Sequence, residues 1–221
     1  MKKTQDPIGR LLALRQKAHP WHGVDIGENA PDELIAYIEM VTTDTVKYEL
    51  DKKTGFRIID RPQKYSSILP ALYGLIPQTY CGSRIGRKCA DILQRPDIIG
   101  DGDPLDICVL TEKTIGSGDI LVRCIPIGGF RMIDGNQADD KIVAVLENDA
   151  VYGSIADIHE LPQPVVERLK HYFLTYKDMP GSQKYKTEIT HTYQREEALD
   201  VINISHEDYK DFINETLFEF S

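Results

Sequence analysis

The sequence contains no apolar run that approaches the roughly 20 residues needed to cross a bilayer. Two lysines follow Met1, but the only apolar stretch in residues 1–20 is LLAL, which Arg15 interrupts. A signal peptide would need an apolar core of about 7 to 15 residues. We therefore expect a cytoplasmic protein that has neither a signal peptide nor a membrane-spanning segment.

Cysteine is scarce, and its spacing argues against a zinc site. The four cysteines are Cys81, Cys89, Cys108 and Cys124. They form no CxxC pair, and no histidine stands at a metal-type spacing from them. We therefore predict reduced thiols in a core or a loop, as is usual for cytosolic proteins.

Positive charge is also in short supply. Lysine and arginine total 26 against 35 acidic residues, which gives a formal net charge of −9. A nucleic-acid-binding protein usually presents a basic face. The charge balance therefore disfavours a nucleic-acid partner.

The composition is that of an ordinary globular protein, with 41% hydrophobic and 28% charged residues in 221. No internal repeat or low-complexity linker divides the chain. We predict a single domain over residues 1–221, with a polar lead-in over 1–30 and an irregular, partly basic inserted segment over 77–100.

Short β-type stretches dominate the middle of the chain, and helical patterns follow them. The predicted strands are LIAYIEMV, VKYEL, FRIID, DICVL, DILVRCIPIGGFRMID and DKIVAVL. The first helical pattern, LPQPVVERLKHYFLTYKDM, has Val166, Leu169, Phe173 and Tyr176 at helical spacing, and EDYKDFINETLFEF predicts a terminal helix. This order predicts an α+β protein in which helices pack outside an antiparallel β-barrel.

The hexapeptide DGDPLD, residues 101–106, places Asp101, Asp103 and Asp106 directly before the apolar run ICVL. Neighbouring carboxylates raise the free energy of ionising one another. Pro104 biases Asp103 towards an extended conformation, so Asp101 and Asp103 should point to the same side of the chain. A bound hard cation would offset the repulsion, although a lone motif of this kind is more often a solvated turn.

Further carboxylates stand at the ends of predicted strands. They are Glu39, Glu49, Asp134, Asp139 and Asp140. The turn-forming loop GNQAD should bring Asp134 close to Asp139. Carboxylates without cysteine or histidine suit Mg²⁺, which prefers oxygen ligands.

Basic and tyrosyl residues accompany these acids, which favours an anionic, oxygen-rich substrate such as a phosphate. The basic residues are Lys47, Arg61, Lys141 and Lys177. Taken singly, each feature has an ordinary structural explanation. Lys47 and Glu49 could form an exposed strand face, and Tyr176 could be a core residue of an amphipathic helix.

In their order along the chain, these residues resemble the soluble inorganic pyrophosphatases of the Mg²⁺-dependent barrel family, family I. The ordered set is Glu39, KYE at 47–49, Asp60 with Arg61, Tyr73 with Gly74, DGDPLD, Asp134, DDK at 139–141 and YKD at 176–178. HPWH at residues 19–22 also resembles the longer members. The resemblance implies an OB-like five-stranded antiparallel β-barrel with flanking helices, a homo-oligomer, and hydrolysis of pyrophosphate to two phosphates.

The resemblance further implies a role for each matching residue and several Mg²⁺ ions per active site. The implied metal ligands are Asp101, Asp106 and Asp139, with Asp134 and Glu49 for Mg²⁺ that arrives with substrate and Glu39 in support. The implied catalytic residues are Asp103, which accepts a proton from water, and Tyr73. The implied substrate-binding residues are Lys47, Arg61, Tyr73, Lys141, Tyr176 and Lys177.

Two departures from the family pattern and two rival functions accompany this prediction. Leu69 stands where the family usually has a tyrosine, and Leu72 replaces the asparagine that usually precedes Tyr73. One rival is an OB-fold module for single-stranded nucleic acid, which would need a basic groove with aromatic platforms. The other is a different Mg²⁺-dependent phosphohydrolase, such as a nucleotidase, which would need an apolar pocket for a base.

Overall fold

The computed structural model of the chain describes residues 17–177 and 186–219. Its strands are β1 (Leu34–Met40), β2 (Val46–Leu50), β3 (Arg57–Pro62), β4 (Leu72–Leu75), β5 (Ile99–Gly100), β6 (Asp106–Leu110), β7 (Ile120–Asp134), β8 (Gln137–Ala138), β9 (Lys141–Leu146) and β10 (Thr187–Gln194). Its α-helices are α1 (Ser83–Leu93), α2 (Gln163–Thr175) and α3 (Arg195–Glu219), and a 3₁₀ turn covers Ile158–Glu160. Within these ranges, no helix is both long and apolar enough to cross a membrane.

Five strands pair in a closed ring. The order is β1, β4, β6, β9 and β7, and β7 pairs back onto β1. The predicted α+β class is confirmed, but the five strands are not antiparallel throughout, as the predicted antiparallel barrel would have them, because β6 and β9 run parallel. The reason is that β7 pairs with β1 and not with β6. Strand β9 follows β7 after a tight reversal through β8. It lies between β7 and β6 and pairs with both.

Strand β6 is apolar at nearly every position because both of its faces are covered. Ile107 and Val109 belong to a core cluster that includes side chains from α1 and α3. Cys108 and Leu110 face the opposite way, into a cluster that includes side chains from α2. The carboxyl group of Asp106, at the start of this strand, is therefore held on a rigid base.

Helix α2 forms where it was predicted, with a proline in its first turn. Its buried side chains are Val166, Leu169, Tyr172 and Phe173. Helix α3 begins at Arg195, well before the predicted segment EDYKDF. Its first turns bury Ala198, Val201 and Ile202, whose i, i+3, i+4 spacing is a helical pattern that the prediction did not include.

The segment at 77–100 is more regular than the sequence predicted, because it contains α1. The helix buries only Ile85, Gly86 and Cys89, so its apolar stripe is narrow. Gly86 lies against β5, where a Cβ atom on it would come within 2.5 Å of the backbone nitrogen of Gly100. This close approach docks α1 on the residue that precedes Asp101.

The four cysteines are buried and unpaired, as predicted for reduced core thiols. Burial raises the pKa of the Cys89 thiol to about 11 and that of Cys124 to about 12. Burial also raises the pKa of the Cys81 and Cys108 thiols, so all four are protonated near neutral pH and pack as small apolar side chains.

Candidate active site

A cavity of about 250 Å³ gathers nearly all the residues that the sequence suggested. It is lined by Glu39, Glu49, Asp101, Asp103, Asp106, Asp134, Asp139, Lys47, Lys141, Lys177, Tyr73 and Tyr176. Arg61 is not part of this lining but stands behind it, with its guanidinium carbon 5.9 Å from the ring centre of Tyr176. Pro104 and Gln137, from the DGDPLD and GNQAD motifs, also line the cavity, as do Lys52, Leu50 and Leu75, which the sequence did not suggest.

The DGDPLD loop presents both of its first two acids to the cavity, but through a turn. Gly102 has φ of +77°, so the expectation of an extended chain was wrong at this residue. The turn is closed by the Asp103 backbone nitrogen, which donates to Asp101 Oδ1 across 3.0 Å. Cys81 holds the loop from behind: its nitrogen donates to the Asp103 carbonyl and its carbonyl accepts from Gly102.

Side chains alternate along residues 139–141, where the chain enters β9, so that one set faces the site and the other faces the core. Asp139 and Lys141 line the cavity, whereas Asp140 turns away and pairs with the buried Arg131 across 3.1 Å. The Lys141 ammonium donates to both Asp106 and Asp139. Lys141 thus bridges the carboxylate of Asp106, at the start of β6, and that of Asp139, which lies between β8 and β9.

Strand β4 brings Tyr73 to the carboxylate of Asp106, which Lys141 also contacts. The Tyr73 hydroxyl donates to Asp106 Oδ2 across 2.5 Å. Gly74 follows because β1 passes so close that a Cβ atom here would lie 1.8 Å from the Tyr37 carbonyl oxygen. The side chains of Leu69 and Leu72, the two departures from the family pattern, are buried in the core.

The β2–β3 hairpin contributes a second group of charges. Lys47 Nζ lies 2.9 Å from Glu49 Oε2 and 3.1 Å from Asp60 Oδ2. Asp60 also accepts from Arg61, so the lysine and the arginine share one carboxylate. Lys47 and Arg61 are cross-strand partners, which keeps both cations on one side of the cavity.

The residues after α2 reach the cavity from the opposite side. Tyr176 caps the C-terminus of α2, where it packs against a core cluster as its helical spacing suggested, and it also lines the cavity. Its ring stacks on Tyr172 with centroids 5.1 Å apart. Lys177 pairs with Asp134, which shares the cavity with Asp139 as the GNQAD loop predicted.

The carboxyl groups of the cavity are hard to ionise together. Burial, followed by the charge of Asp139, raises the pKa of Asp101 to about 8. Burial, followed by the charge of Asp106, raises the pKa of Glu39 to about 8, while the Leu50 backbone nitrogen donates to Glu39 Oε1 across 2.6 Å. A cation among these groups would stabilise their charged forms.

The chemistry of this lining fits Mg²⁺, because its candidate ligands are carboxylates without histidine or thiol. In residues 17–177 and 186–219, however, no three Asp, Glu, His or Cys side chains are arranged to hold a metal ion. Lysine ammonium groups stand among the acids instead, as Lys141 does between Asp106 and Asp139. Carboxylate ligands suited to Mg²⁺ are therefore present, but in this structure they are paired with lysines.

Comparison with known proteins gives one consistent result. Residues 36–210 match the family model described as inorganic pyrophosphatase. An inorganic pyrophosphatase of Chlamydia trachomatis is 52% identical over 87% of this chain and 94% of its own length, and soluble inorganic pyrophosphatase 5 of Arabidopsis thaliana is 34% identical over 98% and 94%. The crystal structure of the Thermus thermophilus inorganic pyrophosphatase superposes with a TM-score of 0.72 at 26% identity, covering 88% of this chain and 99% of that one. The chain therefore belongs to the inorganic pyrophosphatase family.

Proposed function

We propose that the protein hydrolyses inorganic pyrophosphate to two phosphates with a water molecule activated by Mg²⁺. Membership of the family assigns the reaction, so the protein is an enzyme, an inorganic diphosphatase. The observation that supports Mg²⁺ and the residue roles is the composition of one cavity. Seven carboxylates, four lysines and two tyrosines line it.

The cations and hydroxyls of the cavity would bind the phosphoryl oxygens. Pyrophosphate carries several negative charges that repel a nucleophile, and fixed cations offset that repulsion. The proposed substrate-binding residues are Lys47, Arg61, Tyr73, Lys141, Tyr176 and Lys177. Arg61 can bind two oxygens at once through its planar guanidinium, which a lysine cannot do.

The carboxylates on the strand ends would hold the metal. We assign Asp101, Asp106 and Asp139 as ligands, and Asp134 and Glu49 as ligands of Mg²⁺ that enters with substrate. Glu39 is 5% exposed and accepts from the backbone of Leu50, so its proposed role is to orient β2 beside Glu49. Mg²⁺ held by these carboxylates would supply a bound water that gives up a proton more readily than bulk water, whose pKa is about 15.7.

Asp103 is the proposed proton acceptor. Its backbone is fixed at both ends, by the bond to Asp101 and by Cys81, while its side chain stands 44% exposed at the cavity. A carboxylate with this freedom can reach a water molecule and take its proton as the water attacks phosphorus. Tyr73 supports the reaction by holding Asp106 through its hydroxyl.

Phosphate release from pyrophosphate, measured with and without Mg²⁺, tests the proposal. We expect activity that requires Mg²⁺ and that Ca²⁺ inhibits, since the larger ion takes a looser coordination shell. ATP and a phosphomonoester should be poor substrates. Release from ATP equal to that from pyrophosphate would favour the nucleotidase alternative, and no release from Mg²⁺-pyrophosphate would refute the proposal.

We also propose that the closed ring of strands is the OB-like barrel of the family, that residues 1–221 form one domain, and that the protein is a cytoplasmic homo-oligomer without a nucleic-acid partner. The likeness to the Thermus thermophilus structure supports the barrel. Exposed apolar side chains on and beside the β2–β3 hairpin, such as Phe56, Ile59 and Ile68, suit a subunit interface. The free thiols suit a reducing compartment. Sedimentation analysis of the pure protein would test the assembly.

A further inference from the structure

We propose that Lys52 is a substrate-binding residue at the rim of the active site and that His19 positions it there. This inference deepens the proposed function and rests on it. Lys52 lines the same cavity as the proposed metal ligands, and its ammonium group pairs with the carboxylate of Asp103. The neighbouring Lys53 is exposed and does not belong to the described lining of the cavity.

The side chain of Lys52 is more exposed than those of the other three lysines that line the cavity. The side chains of Lys47, Lys141 and Lys177 are 21%, 3% and 24% exposed, and each pairs with proposed metal ligands. The side chain of Lys52 is 41% exposed and pairs with the proposed base, Asp103. Lys52 is therefore the lysine of the cavity that an anion entering from solvent would meet first.

The backbone around Lys52 is held in a closed turn between β2 and β3. The Asp51 nitrogen donates to the Phe56 carbonyl, and the Gly55 nitrogen donates to the Asp51 carbonyl, each across 2.8 Å. The Asp51 carboxylate also accepts from the Lys53 nitrogen and the Thr54 hydroxyl. This turn fixes the point from which the Lys52 side chain departs, so that only its own torsions remain free.

His19 connects this turn to the HPWH segment at residues 19–22. Nδ1 of His19 accepts from the backbone nitrogens of Trp21 and His22, at 3.2 and 3.4 Å. A neutral imidazole that accepts at Nδ1 carries its proton on Nε2. Nε2 lies 3.2 Å from the Lys52 carbonyl oxygen and therefore donates to it.

The same segment also holds the loop that carries Asp103. Trp21 Nε1 donates to the Thr79 carbonyl across 2.8 Å, and the Thr79 hydroxyl accepts from the Leu105 nitrogen across 2.9 Å. HPWH thus reaches both members of the Lys52–Asp103 pair through short chains of contacts. HPWH has no residue in the described lining of the cavity, yet its contacts hold the backbones that carry Lys52 and Asp103 and so set the distance between them.

The charge and freedom of Lys52 indicate what it does when substrate enters. A phosphoryl group brings several charged oxygens to the rim, and a lysine ammonium can donate to them as a mobile point charge. We therefore expect Lys52 to leave Asp103 and bind a phosphoryl oxygen. That exchange would free the Asp103 carboxylate at the moment substrate arrives.

Two single variants form the central test: Lys52→Gln, and Lys53→Gln as the matched control from the same turn. The measurements are KM and kcat for Mg²⁺-pyrophosphate, and the Kd for methylenediphosphonate with Mg²⁺ by calorimetry, which needs no turnover. Loss of one charge-assisted contact should raise KM and Kd by about tenfold in Lys52→Gln, with kcat changed less. Lys53→Gln should match the wild type, and Lys52→Arg should recover most of the affinity.

His19→Ala tests the positioning role. It should raise KM as well, and the double variant His19→Ala/Lys52→Gln should bind no more weakly than Lys52→Gln alone, because both changes remove the same contact. A His19→Ala protein with a lower Tm but wild-type KM would overturn the role of His19. Wild-type KM and Kd in Lys52→Gln would overturn the role of Lys52, even if His19→Ala failed to fold. Analogue binding without pyrophosphate hydrolysis in the wild type would refute the proposed reaction and leave the binding test intact.

Discussion

Lys141 lies beside Asp106 in the parallel pairing of β6 and β9, and its Nζ is 2.5 Å from Asp106 Oδ2. The same ammonium donates to Asp139, and Lys141 is only 2% exposed. Water therefore screens these charges poorly. One buried cation holds together two carboxylates that are proposed to bind Mg²⁺.

We predict that Lys141→Met destabilises the metal-free protein and makes it more dependent on Mg²⁺. Removing the ammonium leaves two carboxylates without their partner, and breaking a buried pair in this way typically costs about 3–5 kcal/mol. The Tm measured in EDTA should fall, while the rise in Tm on adding Mg²⁺ should exceed that of the wild type. An unchanged Tm in EDTA would contradict the bridging role of Lys141.

We predict that Asp103→Asn lowers kcat by a factor of about 10² to 10⁴, because the amide keeps the shape of the side chain but cannot accept the proton. The rise in Tm with Mg²⁺ should stay close to that of the wild type. Asp106→Asn is the comparison: it alters a proposed ligand and should weaken the response of Tm to Mg²⁺. Near-normal turnover in Asp103→Asn would transfer the role of base to another group.

Much of the site could be predicted because its residues sit in short, ordered motifs. DGDPLD and the DDK stretch each place their side chains through local geometry, and β6 and β9 carry them to one cavity. Lys52 was missed for the opposite reason. Its partner Asp103 is 51 positions away, and no spacing rule connects a hairpin turn to that loop. Arg61 stands behind the cavity because its guanidinium turns to Asp60 and the Tyr176 ring.

In the fold, as in the site, the features that local sequence determines were predicted, and those that depend on distant contacts were not. Strands with long apolar runs, such as β6 and β9, were predicted nearly to the residue. Strand β4 has four residues and β10 is mostly polar, so neither carries a clear pattern of its own. The parallel pairing of β6 with β9 depends on which distant strand β7 joins, which periodicity does not encode. Helix α1 was missed because a glycine, Gly86, occupies part of its buried face.

We predict that Gly86→Ala weakens both stability and metal binding. The added Cβ would meet the backbone nitrogen of Gly100 at 2.5 Å, so α1 must shift away from the residue before Asp101. Overpacking of this kind typically costs about 1–3 kcal/mol. Gly116→Ala is the matched control, because nothing lies within 4 Å of a Cβ atom there. We expect a lower Tm and a higher half-saturating Mg²⁺ concentration for activity only in Gly86→Ala. A change in Tm alone would limit α1 to a structural role.

The buried pair of Arg131 and Asp140 supplies another prediction. Arg131 is 1% exposed and pairs with Asp140 across 3.1 Å and with Glu197 of α3 across 2.9 Å. Arg131→Met would leave Asp140 buried without its counter-ion, which should lower the free energy of unfolding by about 3–5 kcal/mol. Arg131→Met/Asp140→Leu should recover part of that loss, since no charge is then stranded. Urea titrations of the variants measure these differences, and equal losses in the single and double variants would contradict the argument.

His22 stacks on Trp21 with ring centroids 4.2 Å apart, and its Nδ1 lies 3.0 Å from the Tyr209 hydroxyl. Burial, followed by the charge of His19, lowers the pKa of His22 to about 4. In the unfolded chain its pKa is about 6.5, so between about pH 6.5 and 4 the unfolded state binds a proton that the folded state does not. Stability from this residue is therefore present above pH 6.5 and lost as the pH falls through that window.

His22→Phe keeps an aromatic ring in the stack but removes the titrating group. Its Tm should fall less than that of the wild type between about pH 7.5 and pH 5, although the lost contact with Tyr209 lowers its Tm at both values. His171→Phe, at an exposed position on α2, controls for the loss of a histidine elsewhere and should follow the wild type. Carboxylates titrate alike in all three proteins, so they shift every curve together. Parallel pH curves for the wild type and His22→Phe would show that His22 does not control acid stability.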